Sequence, residues 1–589
     1  MRRRTCVLLS LVVLLSFGAA EAADADAPKV LFAARLGAKG VDTAEGVAFG
    51  ADGSVYVVGN SAKYWQCARP FGKQAKDWSY PPGYVARYSP DGKEITGFAL
   101  FAPGVIKLTS VVPGEDCVYV AGYASPGIQE VLDGKGGLIS ETKGRFTQRG
   151  KKVLSPREHH SDPDFSREND QRGVPCVLRL NSELSKVTAA TLLEGWQTTW
   201  HVPRPLGEDW HQPVALAVLS DGDVVVSHDY GFNDFSADGA FGRFYYLADG
   251  LSRLSGDLTQ RRWKRDLYLP EIAAENLREH LFGRRRWLET PPENWPHPTA
   301  GQTRILRLRT DAKDNIYICG YSPSRTSGEP WWTPFLWRLN PDGKRTLAVY
   351  STDPMSGKKG RLHGDATDSC VRSVNVDAEG NILAATISDG GNSVLRKDPW
   401  DYTRWPKTPD GQKVGLGVGG FKGRTLFWGP VVKIDPDANA LVGGQPIHGR
   451  HENGGTAPAW AVDVVPLAGG GTVAAGRFSE GFHLTREKWA RVPAPGKEKT
   501  GDGKKLRRRY RRNTPVNHAF IRVYDPRMKM TASVALPEVI FREAASRGRR
   551  VAIVGRALSG KAPAVGSWSH PNCDETDGYL IVIEIPEQK

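Results

Sequence analysis

The chain has 589 residues, with 79 Lys and Arg against 65 Asp and Glu, 17 Trp and 7 Cys. So few cysteines exclude a disulfide scaffold, and the lack of any C-x-x-C excludes zinc-ribbon, thioredoxin-like and c-haem chemistry. The basic balance suits an anionic partner but has no bearing on fold.

The first 22 residues read as a secretory signal. "MRRRT" is a basic n-region, "CVLLSLVVLLSFGAA" an apolar h-region, and Ala20-Glu21-Ala22 a small-x-small cleavage site. Residues 23–589 are therefore expected to be secreted, periplasmic or at the cell envelope, carrying 76 Lys and Arg against 64 Asp and Glu. No later stretch approaches the ~18 consecutive apolar residues of a membrane span. The absence of any N-x-[ST] acceptor points to a bacterial source.

One phrase then returns seven times. It begins at 44 as "AEGVAFGADGSVYVVGNS" and comes back at 107, 212, 303, 369, 459 and 538. Each copy holds two alternating runs around a tight polar turn; in the first, "EGVAF" and "SVYVVG" flank "GADG". Asp-Gly between period-two runs is a hairpin signal, because the turn needs a positive φ that Gly tolerates. A second pair of runs follows each copy, as in "GYVARYSPDGKEITGFALF" at 83 and "FLWRLNPDGKRTLAVYSTD" at 335. The third copy's second pair, "GRFYYLADGLSRLSGDL" at 242, is looser.

Four strands per unit, A to D, make the blade of a β-propeller, so the expected fold is all-β with seven blades. The blades fall at 44–101, 107–194, 212–269, 303–351, 370–446, 459–536 and 538–585. The seventh unit ends before its fourth strand, whereas "KVLFAARLG", 29–37, belongs to no unit. That N-terminal strand is expected to complete the last blade and remove its open edge.

The phrases "VYVVGNS", "VYVAGYAS" and "IYICGYS", with "VARYSPDG" and "LWRLNPDG", resemble the bacterial seven-bladed β-propeller repeat proteins of the SBBP type. The resemblance spans nearly all of the chain after the signal, with blades three, six and seven departing from it. It implies an exported bacterial propeller and carries no catalytic residue across.

The units are far longer than the ~40–45 residues a four-stranded blade requires. The excess lies in B–C links, near 60–82, 124–173, 388–427, 478–516 and 557–576, and in D–A links near 195–212, 270–302 and 352–369. Both kinds of link leave an antiparallel blade at the same face, and insertions confined to one face mark a binding face. Most of the tryptophans are read into that face. Trp65, Trp200, Trp331, Trp332, Trp400 and Trp568, with Tyr230, are the candidate ligand-binding residues. Their rings suit sugar C–H faces beside Arg and Lys, and they suit equally the packing of long links. Residues 270–289 read as an amphipathic helix, and "GKEKTGDGKKLRRRYRRN", 496–513, is the densest basic run.

Chemistry-bearing candidates are sparse. His228, Asp229 and Tyr230 break the repeat in "SHDYGFND". His363 and Asp365 in "GRLHGDATDS", and His451 and Glu452 in "IHGRHENGGT", precede A strands. If the protein is an enzyme, these groups are expected to converge at the channel mouth as acid–base or metal groups; loop caps explain them equally. Asp234, Ser236 and Asp238 match the first half of a calcium loop, but the twelfth position is Tyr245. "REHHSDPDFSREND", 157–170, is either a ligand cluster or a polar tip. Cys67 and Cys573 sit in the links of blades one and seven and are expected to form a disulfide across the closure seam, with Cys319 and Cys370 a second candidate pair.

The resulting expectation is an exported monomeric propeller that binds an anionic or cell-surface polysaccharide on its Trp-rich basic face. It would use no cofactor beyond that calcium candidate, and neither nucleic acid nor a membrane span is expected. A lactonase-, lyase- or glycoside-active propeller, and an envelope protein–protein scaffold, are the alternatives.

Overall fold

The computed structural model describes residues 28–37, 42–61, 69–71, 82–101, 105–124, 174–193, 214–230, 248–266, 304–324, 331–350, 369–389, 427–438, 441–450, 456–479, 482, 516–558, 562 and 577–587. These form seven antiparallel blades of four strands. Blade 1 is Thr43–Phe49, Val55–Asn60, Gly83–Tyr88 and Ile95–Phe101, and blade 2 is Val105–Pro113, Cys117–Ala124, Val174–Asn181 and Val187–Leu192. Blade 3 is Leu216–Val218, Val224–Tyr230, Ala248–Leu254 and Arg261–Asp266, and blade 4 is Arg304–Thr310, Ile316–Ser324, Trp331–Leu339 and Arg345–Tyr350. Blade 5 is Ser369–Val376, Ile382–Asp389, Phe427–Ile434 and Leu441–Ile447, and blade 6 is Ala459–Pro466, Thr472–Phe478, His518–Tyr524 and Met530–Leu536. Blade 7 is Val539–Arg547, Arg550–Ala557, Asp577–Glu584 and, from the other end of the chain, Lys29–Leu36. The A strands neighbour one another in sequence around the ring, and blade 7's touches blade 1's. Among the described residues there is no helix, hence none long and apolar enough to cross a membrane.

Closure follows the expected route. Lys29–Leu36 pairs antiparallel with Asp577–Glu584, from Lys29↔Glu584 to Leu36↔Gly578. Arg35 Nε donates to Asp577 Oδ2 at 2.9 Å, and Asp577 is fully buried. Phe32, also fully buried, stacks on Tyr88 of blade 1 with ring centroids 6.3 Å apart. Its ring covers Gly92, where any Cβ would lie 2.2 Å from the Phe32 ring.

The core is divided rather than central: apolar clusters lie at every blade–blade interface. Inner strands therefore have both faces covered. This is why the B strands of blades 2 and 6 are buried at every position and read as continuous apolar runs.

On the A–B-turn face, a cation recurs in strand C and holds its own blade's A–B hairpin. Arg87 meets Asp52 at 2.7 Å, Arg179 meets Asp116 at 3.2 Å, Arg253 meets Asp223 at 2.9 Å and Lys433 meets Asp377 at 2.6 Å. The same groups reach the following blade: Arg253 donates to the Pro341 carbonyl, Arg338 to Pro436 and Lys433 to Gly470. Blade 6 has no acid in its A–B turn, "LAGGG", and Val523 holds the place of the strand-C cation there.

Blade 3 departs from the expected register. Strand C is Ala248–Leu254 and strand D Arg261–Asp266, later than the run beginning at 242 suggests, because Arg253 takes the place of the recurrent strand-C cation. In blade 1, Arg69–Phe71 of the first B–C link pairs parallel to strand D, along the outer edge of the blade rather than over its face.

Candidate functional site

The site begins with the repeat phrase itself. In six blades the A strand shifts register against B at one equivalent place, leaving an extra residue: Glu45, Thr109, Leu306, Arg372, Val462 and Arg542. Such a bulge pushes the preceding carbonyl towards strand B. Opposite stand the glycines that end "VVG", "VAG" and "IVG". A Cβ at Gly59 would lie 1.9 Å from the Thr43 carbonyl, at Gly122 1.9 Å from that of Lys107, and at Gly555 1.9 Å from that of Ile540. The recurrent glycine is thus a close-approach residue, and the bulge it accommodates re-aims A-strand side chains at the channel.

In blades 4 to 7 a charge stands at the bulge or directly after it, at Arg307, Arg372, Asp463, Arg542 and Glu543. Arg309 Nη2 lies 2.7 Å from Glu543 Oε1 and 3.6 Å from Asp463 Oδ2. Arg307 Nη2 donates to the Arg542 carbonyl at 2.7 Å, and its Nε lies 3.8 Å from Asp463. Arg542 Nε is 3.6 Å from Glu45 on blade 1. Asp463, fully buried, also accepts from the Ser373 hydroxyl and from the Val464 and Ala544 amides at 2.9 and 2.8 Å. Three hydrogen-bond donors and two guanidinium groups thus surround this buried carboxylate. Burial pushes the Glu543 carboxyl up, while Arg307 and Arg309 pull it back. Because blades 4 and 7 are not neighbours, Arg307 and Arg309 cross the lumen and form a waist in the channel.

Between that waist and the A–B turns lies a cavity of about 530 Å³, lined by residues from all seven A strands. Its walls differ. Blades 1 to 3 present Ala48, Val112 and Val218, while blades 4, 5 and 7 present Arg309, Asn375, Glu543 and Arg547.

Few of the groups expected from sequence fall among the described residues. His228, Asp229 and Tyr230 end strand B of blade 3, their backbones paired with Gly250, Asp249 and Ala248. That end faces away from the A–B turns and from the cavity. His363, Asp365, Trp65, Trp200, Trp400, Trp568, Asp234, Ser236, Asp238, Cys67 and Cys573 lie outside the described residues, as does the helix expected over 270–289. His451 and Glu452 also lie outside them, between two short paired segments, Gly449–Arg450 and Thr456–Ala457. Trp331 and Trp332 are not link residues: they open strand C of blade 4, paired with Ser324 and Pro323.

The second expected disulfide is corrected. Cys319 and Cys370 are buried free thiols, and burial pushes the Cys319 thiol up. Among the described residues, no three His, Cys, Asp or Glu stand together as metal ligands.

The lumen charges were missed from sequence, yet a signal existed. "RILRLRT", "VRSVNV", "AVDVV" and "IFREAA" each place a charge inside an A strand, four or five residues before the hairpin turn. Charges are not placed on a fully covered strand without partners.

No protein-family model matches the chain, and no curated protein matches it. Among solved structures it is similar to a protein of unknown function from Dyadobacter fermentans, at 9% identity and a TM-score of 0.36, covering 95% of this chain and 99% of that one. It is similar also to quinohemoprotein alcohol dehydrogenase from Comamonas testosteroni, at 11% identity and a TM-score of 0.34 over 96% and 76% of the two chains. A europium-containing methanol dehydrogenase matches at 11% identity and a TM-score of 0.35 over 95% and 93%. Likenesses this distant transfer no residue and no activity. By its own strand pairing, the chain is a seven-bladed β-propeller closed by its N-terminal strand.

Proposed function

We propose that this propeller is an exported bacterial protein that binds an acidic polysaccharide through the face from which its B–C and D–A links leave, without transforming it. The observation that carries this reading is where the cations stand in the sequence. Residues 480–515 hold twelve Lys and Arg against four Asp and Glu, and residues 390–426 hold seven against three. Both segments join a B strand to a C strand, so both start from one side of the ring. Trp400, Trp405 and Trp489 lie within them. Cations meet carboxylate or sulfate while indole faces stack on sugar C–H, which together are what an acidic glycan needs. The signal-like first 22 residues and the SBBP-type phrases support export.

The test is electrophoresis of residues 23–589 through gels cast with neutral, carboxylated or sulfated polysaccharide, scoring both retardation and new reducing or unsaturated ends. Retardation by the acidic polymers alone, with no new ends, is the expected result. New ends would transfer the reading to an enzyme and to His228, His363 and His451. Neither effect would leave an envelope protein as the partner.

A further inference from the structure

We infer that the A–B-turn end of the channel is a second binding site, for a small oxyanion carrying an apolar body, such as a medium-chain carboxylate. It lies at the opposite end of the ring from the polysaccharide face and does not depend on that reading.

The cavity of about 530 Å³ falls within the range of about 300–1,000 Å³ that encloses small ligands. Its floor is built, since Arg307 and Arg309 cross the lumen from blade 4 to blade 7. Arg309 remains 23% exposed, and as a lining residue it shows that exposure to the cavity. The charged residues that line the cavity are Arg309 on its floor, Arg547 at its rim and the single carboxylate Glu543, an excess of one cation. A cation would meet this positive floor unfavourably, and Glu543 is already bound at 2.7 Å by Arg309.

The polarised walls specify the rest of the ligand. Ala48, Val112 and Val218 are half-buried and apolar, and the polar groups Arg309, Asn375 and Thr310 stand in blades 4 and 5. An anionic head at Arg309 therefore places an apolar tail along blades 1 to 3. The charge-assisted contact fixes the head, while the tail contributes by the apolar area it buries.

Titration calorimetry of the full chain with octanoate and with its neutral counterpart octanamide tests the site. Saturable one-to-one binding of octanoate is expected, with octanamide weaker by about tenfold or more, the worth of one charged hydrogen bond. Arg309→Gln should erase that preference. Because Arg309 also holds the waist together, Ala48→Phe provides a second readout: it fills the cavity from the apolar wall, touches no charge, and should abolish binding of both ligands. No octanoate binding by the folded wild type, equal affinity for the two ligands, or unchanged binding in a folded Ala48→Phe variant would each overturn the proposal.

Discussion

Arg309 on blade 4 and Glu543 on blade 7 form an ion pair at 2.7 Å across the lumen, joining strands 234 residues apart. This pair, the Arg307 hydrogen bond to the Arg542 carbonyl and the approach of both arginines to Asp463 on blade 6 act as cross-braces between non-neighbouring blades. All depend on the A-strand bulge, which turns alternate positions towards the channel.

Arg309→Met is predicted to lower stability by about 3–5 kcal/mol, because it leaves Glu543 without its closest cation and weakens the setting of Asp463. Arg309→Met with Glu543→Gln should recover part of that loss, since no buried charge is then stranded. Chemical denaturation of the single and double variants gives the coupling; simple additivity would mean that the pair does not brace the lumen.

Gly555→Ala should cost several times more than Gly222→Ala. A Cβ at Gly555 meets the Ile540 carbonyl at 1.9 Å, whereas at Gly222 nothing lies within 4 Å and only its φ of +84° opposes a side chain. The second change is worth about 1 kcal/mol. Melting temperatures of the two variants decide the order.

Closure makes the first strand separable in principle. Deleting residues 28–37 exposes the edge of Asp577–Glu584 and should give a chain that aggregates or unfolds at lower temperature. A synthetic peptide of residues 28–37 added in trans should restore the melting temperature through strand addition. Phe32→Ala in the intact chain is expected to cost about 3–5 kcal/mol as a fully buried aromatic truncation.

The Asp52 carboxyl accepts from Ser54 and lies beside Arg87, which together hold its pKa down at about 2. A carboxyl lowered on folding contributes stability above its unfolded value of about 3.8 and loses it as the pH falls towards 2. Asp52 is about half exposed, so its contribution stays below about 1 kcal/mol. The stability gap between wild type and Asp52→Asn should shrink across that window and close below it. A gap independent of pH would contradict the assignment.

Fold and site were unequally legible in the sequence. Period-two runs around Asp-Gly turns specify hairpins locally, and the stray strand at 29–37 against the vacancy in blade 7 specified closure. Blade 3's outer strands were misplaced because hydrophobic alternation is weak there; Arg253, matched to Arg87 and Arg338, would have set the register. The lumen was not read because a bulge breaks period two at the place where A strands turn inward. Without it, Arg307 and Glu543 look like isolated charges in buried strands. The histidines at 228, 363 and 451 drew notice as residue types, whereas the cavity at the other end is lined by arginine, asparagine and alanine, which carry no motif.

The central functional claim is that the basic link face binds acidic polysaccharide by charge. Its most direct test is the affinity of residues 23–589 for a sulfated polysaccharide as salt is raised, measured beside a variant with Arg507, Arg508, Arg509, Arg511 and Arg512 all changed to Gln. Contacts made by several cations release counterions, so the wild-type affinity should fall steeply and linearly on a log–log plot, and the variant should bind more weakly with a shallower slope. A salt-independent affinity, or the same slope in both proteins, would contradict the account.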